Sequence, residues 1–166
     1  MTYKLANRVH KVQPSFTLQM ATRAAEMRAD GIDVINFSVG EPDFNTPSHI
    51  IAAGKEAMDD GFTKYTAGPG MIEFRNAICD KLDRENGITY EPADILVSNG
   101  EKQSLYNVCQ ALFNEGDEVV VFRPYWVSFP EFVRLADAEP VLVETIAENN
   151  FEPDYNDLKN KLSPSI

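Results

Sequence analysis

Asp94-Ile95-Leu96-Val97-Ser98-Asn99-Gly100-Glu101-Lys102-Gln103 is the stretch on which the fold turns. Its three consecutive branched apolar residues have the pattern of a short strand covered on both faces. Asn99-Gly100 reads as a turn. Leu105, Val108, Cys109 and Leu112 then recur at i, i+3, i+4 and i+7, which is one face of a helix. The same rhythm continues downstream. Gly116-Asp117 turns the chain into a strand over Glu118 to Phe122, Pro124 to Pro130 is a loop, and Glu131 to Ala136 is a short helix. Val141-Leu142-Val143 is a third strand, and Asp154 caps a helix that runs to Leu162 with Tyr155, Leu158 and Leu162 facing inward. Strands alternating with helices predict an α/β fold with a mainly parallel sheet. Three strands are few for such a sheet, and Ser163-Pro164-Ser165-Ile166 reads as the lead-in to another, so the sheet is expected to be incomplete.

Upstream the pattern is looser. Phe16 to Arg28 has Leu18, Ala21, Ala24, Ala25 and Arg28 at helical spacing and stops at Asp30-Gly31. A short apolar run, Val34-Ile35-Asn36-Phe37, leads into the loop from Ser38 to Phe44. Thr46-Pro47 predicts a helix start, with the hydroxyl as cap and proline at the first position. Ile50, Ala53, Gly54, Ala57 and Met58 share one face of that helix. Thr63 to Gly70 is a loop, and a long helix with Met71, Phe74, Ile78 and Leu82 on one stripe ends at Asn86-Gly87.

The chain has 166 residues, 43% of them hydrophobic and 25% charged, the balance of a globular protein with a core. Fifteen basic against 26 acidic residues give a formal charge of -11. Such a chain has no general attraction for nucleic acid or anionic membranes, although backbone amides can still hold one phosphate locally. No apolar stretch is long enough to cross a bilayer, and Met1-Thr2-Tyr3-Lys4 opens no signal peptide, so a cytoplasmic location is expected. Cys79 and Cys109 read as buried free thiols, and no metal site is expected from His10, His49 or the cysteines.

Three places carry candidate chemistry. A strand that ends in a glycine turn and opens a helix gathers unpaired N–H groups at the positive end of the helix dipole, which favours an anion over Gly100-Glu101-Lys102. With one glycine, neither the dinucleotide fingerprint nor the Walker loop is satisfied. Pro124-Tyr125-Trp126-Val127-Ser128 leaves the next strand at the same carboxyl edge, where ligands of open α/β sheets bind. Its Trp126, the one tryptophan of the chain, suits stacking on a flat heterocycle. Gly40-Glu41-Pro42-Asp43-Phe44 and Tyr65 offer a glycine amide for a carboxylate and a phenol for a phosphate. Each of the three also has an ordinary structural reading as a turn, a covered sheet edge or a subunit contact.

Four segments in this order and spacing resemble the amino-terminal part of class I, fold-type I, pyridoxal-phosphate aminotransferases, nearest to bacterial aspartate aminotransferases. They are Val39-Gly40-Glu41-Pro42-Asp43-Phe44, Thr63-Lys64-Tyr65-Thr66, Asn99-Gly100-Glu101-Lys102-Gln103 and Pro124-Tyr125-Trp126-Val127-Ser128-Phe129-Pro130-Glu131. The resemblance implies an N-terminal arm and small-domain segment over residues 1–46 and an incomplete pyridoxal-phosphate-binding large domain over 47–166. It implies that Gly100, Glu101 and Lys102 cup the cofactor phosphate, that Trp126 stacks on the pyridine ring and borders the substrate, and that Gly40 meets the substrate carboxylate. Tyr65 would reach across a homodimer interface to the phosphate in the partner's site. The implied reaction moves the amino group of L-aspartate, or a similar amino acid, to a 2-oxo acid.

Two departures stand out. Glu101 occupies a place where the family usually has a small residue, so only its backbone N–H suits a phosphate. Gln13 stands before Pro14-Ser15 where some relatives carry lysine, which argues against bulkier dicarboxylate substrates. The resemblance also requires a Schiff-base lysine, an aspartate under the pyridine nitrogen, an asparagine and tyrosine at the ring oxygen, and an arginine for the substrate carboxylate. In the family these lie beyond the matched segments, and no lysine here sits in the Schiff-base motif, so the 166 residues alone are expected to be inactive. Another fold-type I enzyme, such as a lyase, and a non-catalytic phosphate-ligand or protein-binding module are the alternatives.

Overall fold

The computed structural model describes residues 3–166; the Met1-Thr2 start lies outside the described residues. Helix α1 (Phe16–Ala29), helix α2 (Ser48–Asp59), helix α3 (Ile72–Asn86) and helix α4 (Gly100–Leu112) precede strand β1 (Glu118–Phe122), helix α5 (Phe129–Leu135) and strand β2 (Glu139–Val143). Strand β3 (Thr145–Ile146), strand β4 (Glu152–Pro153) and helix α6 (Tyr155–Lys161) follow. The chain divides into two compact units, one of residues 1–40 with 105–166 and one of residues 41–104.

The first unit holds the parallel pair. β1 and β2 run side by side with Val120 opposite Val141 and Val121 opposite Leu142, as expected for Val-rich strands joined by a crossover helix. α5 is that crossover. Its Val133 joins Cys109, Ala136 and Ala138 in a buried cluster, with Phe113, Val119 and Phe132 packed around it. Val143, on β2, is fully buried. On the other edge of β1, the Glu118 N–H donates to the Ser165 carbonyl at 2.8 Å, and the Ser163 hydroxyl bonds the Glu118 carboxylate. The segment expected to lead into a further strand therefore lies beside β1.

α6 is fastened to the end of β2 by one carboxylate. Asp154 caps the helix, accepting from the N–H groups of Asn156 and Asp157. Asp157 accepts from the Glu144 N–H at 2.8 Å and from Lys161 Nζ at 2.7 Å, and Lys161 also donates to the Leu142 carbonyl at 2.7 Å. The hydrogen bond from Lys161 is the main reason that the Asp157 carboxyl lies below the usual carboxylate range. A carboxyl depressed in the folded state binds fewer protons there than in the unfolded chain. Its contribution is complete above the ordinary aspartate value of about 4 and is lost as pH falls through the folded value. The urea midpoint of the protein is thus expected to fall with acidification below about pH 4, and more steeply than that of Asp157→Asn, which starts lower at neutral pH. Equal slopes in the two proteins would remove Asp157 as a source.

In the second unit, Gly87 ends α3 with φ 65, the left-handed stop that the Asn86-Gly87 pair predicts. α2 differs from its expected start: its cap is Pro47, and no side chain caps it, so Thr46 does not supply the expected bond. Residues 95–97 form no ladder, which corrects the predicted first strand. Ile95 is extended, with φ -103 and ψ 125, and the Val97 N–H donates to the Pro69 carbonyl at 3.0 Å. The residue types are those of a strand, but the backbone partner is a loop. Gly70 makes this possible: a Cβ there would lie 2.7 Å from Val97 Cγ2. The antiparallel pair of β3 with β4 was not foreseen; two-residue strands carry too little pattern to read.

Burial is narrower than the periodicity suggests. In α1 only Ala24 is buried, and Leu18 is 67% exposed. Tyr155 and Leu162, expected to face inward, are exposed, while Leu158 is half-buried. Both cysteines are free thiols, Cys109 buried and Cys79 half-buried, and burial pushes the Cys109 thiol up. No helix among the described residues is long and apolar enough to cross a membrane.

Candidate functional site

The Gly100 turn starts from its backbone. Gly100 has φ 78, a left-handed conformation natural to glycine, and its N–H donates to the Ser98 carbonyl at 2.8 Å. The Gln103 side chain folds back to accept the Asn99 N–H at 2.6 Å. Both amides of the turn are therefore used within it. The Glu101 N–H follows in the first turn of α4, where a helix supplies no acceptor of its own. It lies at the positive end of a 13-residue helix. The space at Gly100 is open, since a Cβ there would meet no atom within 4 Å. The Glu101 side chain is exposed, so the carboxylate that departs from the expected small residue is solvated. This is an opening that fits an oxyanion through backbone donors, with Gly100 contributing the turn and not a spare amide.

Trp126 follows β1 and a cis Arg123–Pro124 peptide. The root of this loop is tied down: Arg123 pairs with Glu144 at 2.8 Å, the Arg123 N–H donates to the Val143 carbonyl, and the Thr145 hydroxyl bonds the Arg123 carbonyl. The far end is fixed by α5, whose Phe129 N–H donates to the Trp126 carbonyl at 3.0 Å. The indole meets the rings of Phe129 and Phe132 edge-on, with centroids at 5.6 and 6.4 Å, and the residue stays 39% exposed. A cavity of about 480 Å³ lies beside it, lined by apolar residues that include Leu105, Val121, Phe122 and Phe132. Phe129 and Phe132 went unread as site residues. Their signal was an aromatic residue three and six positions after the tryptophan.

Tyr65 is fully exposed in the loop before α3, and Gly40 lies exposed in the loop after the apolar run. Gly100, Glu101, Lys102 and Tyr65 belong to the second unit, whereas Gly40 and Trp126 belong to the first. The Gln13 N–H donates to Glu131 at 3.0 Å, and Lys11 pairs with Asp137 at 2.9 Å, so the N-terminal segment is anchored on α5 and the turn after it.

The family pattern described as aminotransferase class I and II matches residues 32–166. The chain belongs to this family. It is similar to an aspartate aminotransferase of Bacillus subtilis, 46% identical over 160 residues, covering 96% of this chain and 41% of that protein. It is also similar to an aspartate/prephenate aminotransferase of Thermus thermophilus, at 42% identity over 96% of this chain and 42% of that one. Among solved structures, the Thermus thermophilus aspartate aminotransferase with maleate superposes with a TM-score of 0.91 at 41% identity, covering 99% of this chain and 43% of that chain. The α/β, fold-type I expectation is borne out. The chain spans about two fifths of the length of the curated relatives it matches.

Proposed function

We propose that the whole protein is a pyridoxal-phosphate-dependent aminotransferase that moves the amino group of L-aspartate, or a similar amino acid, to a 2-oxo acid. The observation that carries this reading is the start of α4, where Gly100 is left-handed and the space around it is open, at a helix N-terminus suited to an oxyanion. The names of the relatives, an aspartate aminotransferase at 46% and an aspartate/prephenate aminotransferase at 42% identity, support the choice of substrate.

Bound there, the cofactor would supply an aldehyde that carries the amino group and a ring that accepts electrons. The roles of this chain's residues are binding and orientation. Gly100 sets the turn, and the amides of Glu101 and Lys102 hold the phosphate. Trp126 lies against the ring and borders the substrate, and the Gly40 amide meets the substrate carboxylate. The Tyr65 phenol donates to the phosphate of the partner subunit's site, a role that its full exposure suits. This reading takes the enzyme as a cytoplasmic homodimer, with residues 1–46 as arm and small-domain segment and 47–166 as part of the large domain.

The test uses the full-length protein. Adding L-aspartate is expected to shift the absorbance of bound pyridoxal phosphate, and a 2-oxo acid is expected to reverse the shift as it is converted to its amino acid. Failure of L-aspartate to change the spectrum would overturn the choice of donor. Failure of every amino acid tried would overturn the aminotransferase reading itself.

A further inference from the structure

We propose that Phe129 and Phe132 are positioning residues that hold the Trp126 indole in its ligand-ready orientation; the proposal rests on the reading of Trp126 as the platform for the cofactor ring. A tryptophan on a loop with 39% of its surface exposed has two torsions to fix. Two aromatic neighbours meet it and neither lies parallel to it, with interplanar angles of 80° to Phe129 and 65° to Phe132. Edge-on contact restrains the indole plane without taking up the offset-stacked geometry that a planar ligand uses.

The two rings are themselves anchored. Phe132 packs against the buried cluster of Cys109, Val133, Ala136 and Ala138, so the indole is linked through one ring to the core of the first unit. Phe129 opens α5, and its N–H holds the Trp126 carbonyl, so that ring moves with the backbone it braces. Loss of these contacts would leave the indole less ordered before the ligand arrives. Ordering one such side chain weakens binding by about twofold to tenfold.

A mutant cycle in the full-length protein, read by pyridoxal phosphate affinity, tests this. Trp126→Leu is expected to weaken binding. Phe132→Leu keeps apolar volume without a ring and is expected to weaken binding about twofold to tenfold in the presence of Trp126. In the Trp126→Leu background it should weaken binding no further. The near-ultraviolet dichroism of Trp126, taken as the difference from Trp126→Leu, should shrink in Phe132→Leu before any ligand is added. Phe129→Leu repeats the measurement away from the buried cluster if Phe132→Leu does not fold.

Equal losses in both backgrounds, or an unchanged dichroism, would overturn the positioning role while leaving the platform standing. No effect of Trp126→Leu on affinity would instead overturn the platform reading, and the positioning role with it.

Discussion

Residues 1–166, purified and supplied with pyridoxal phosphate, L-aspartate and a 2-oxo acid, are expected to give no turnover above that of the free cofactor. The reaction needs a lysine whose neutral amine attacks the cofactor aldehyde, and a lysine is made ready for that by desolvation or by neighbouring cations. Lys4, Lys11, Lys55, Lys64, Lys81, Lys102 and Lys159 are all exposed. An exposed amine lacks the desolvation that such activation uses. Lys161 is half-buried, yet it is committed to Asp157 and to the Leu142 carbonyl. Lys102 stands at the proposed phosphate opening, where its charge would meet phosphate oxygen and not the aldehyde carbon. Turnover measured by coupled assay would overturn this, above all if blocking the lysines abolished it. Binding of pyridoxal phosphate by the same chain is a separate matter, since the opening at Gly100 works through backbone donors.

Local chemistry was the legible part of this fold. α1 starts at the predicted Phe16, Gly87 stops α3, Asp154 caps α6, and β1 spans the predicted Glu118 to Phe122. Each of these depends on a few neighbouring residues, so the signal is complete within a short window. What was illegible depends on a distant partner. Ile95-Leu96-Val97 has the composition of a strand, but a ladder requires a neighbour, and its amide goes to Pro69. The α4 face is apolar at Val108 and Leu112 as predicted, yet among the described residues nothing buries them, and only Cys109 of that stripe is buried. Periodicity identifies the apolar side of a helix and is silent on what covers it. The site divides in the same way. Gly100 and Trp126 announced themselves by type and position, whereas the bond from the Gly100 N–H to Ser98 and the two rings around Trp126 needed coordinates.

That bond at Gly100 leads to the second large effect. In the full-length protein, Gly100→Val is expected to weaken pyridoxal phosphate binding by about tenfold to a hundredfold, while Gly100→Asn stays within about threefold. The added side chain is not the obstacle, because a Cβ at Gly100 meets nothing within 4 Å. The obstacle is φ 78, which a β-branched residue avoids and which asparagine tolerates. Valine would relax the turn toward negative φ, break the 2.8 Å bond to Ser98, and re-aim the first-turn amides of α4. Hydrogen bonds to a charged group contribute roughly 1.5–3 kcal/mol each, so misplacing one already accounts for the loss. Pyridoxal without its phosphate supplies the control. If Gly100 serves the phosphate, valine should leave the affinity for pyridoxal nearly unchanged, and the preference for the phosphorylated form should collapse. If both forms weaken equally, the turn supports the fold of the second unit in general, and the anion opening at α4 is not where the phosphate binds.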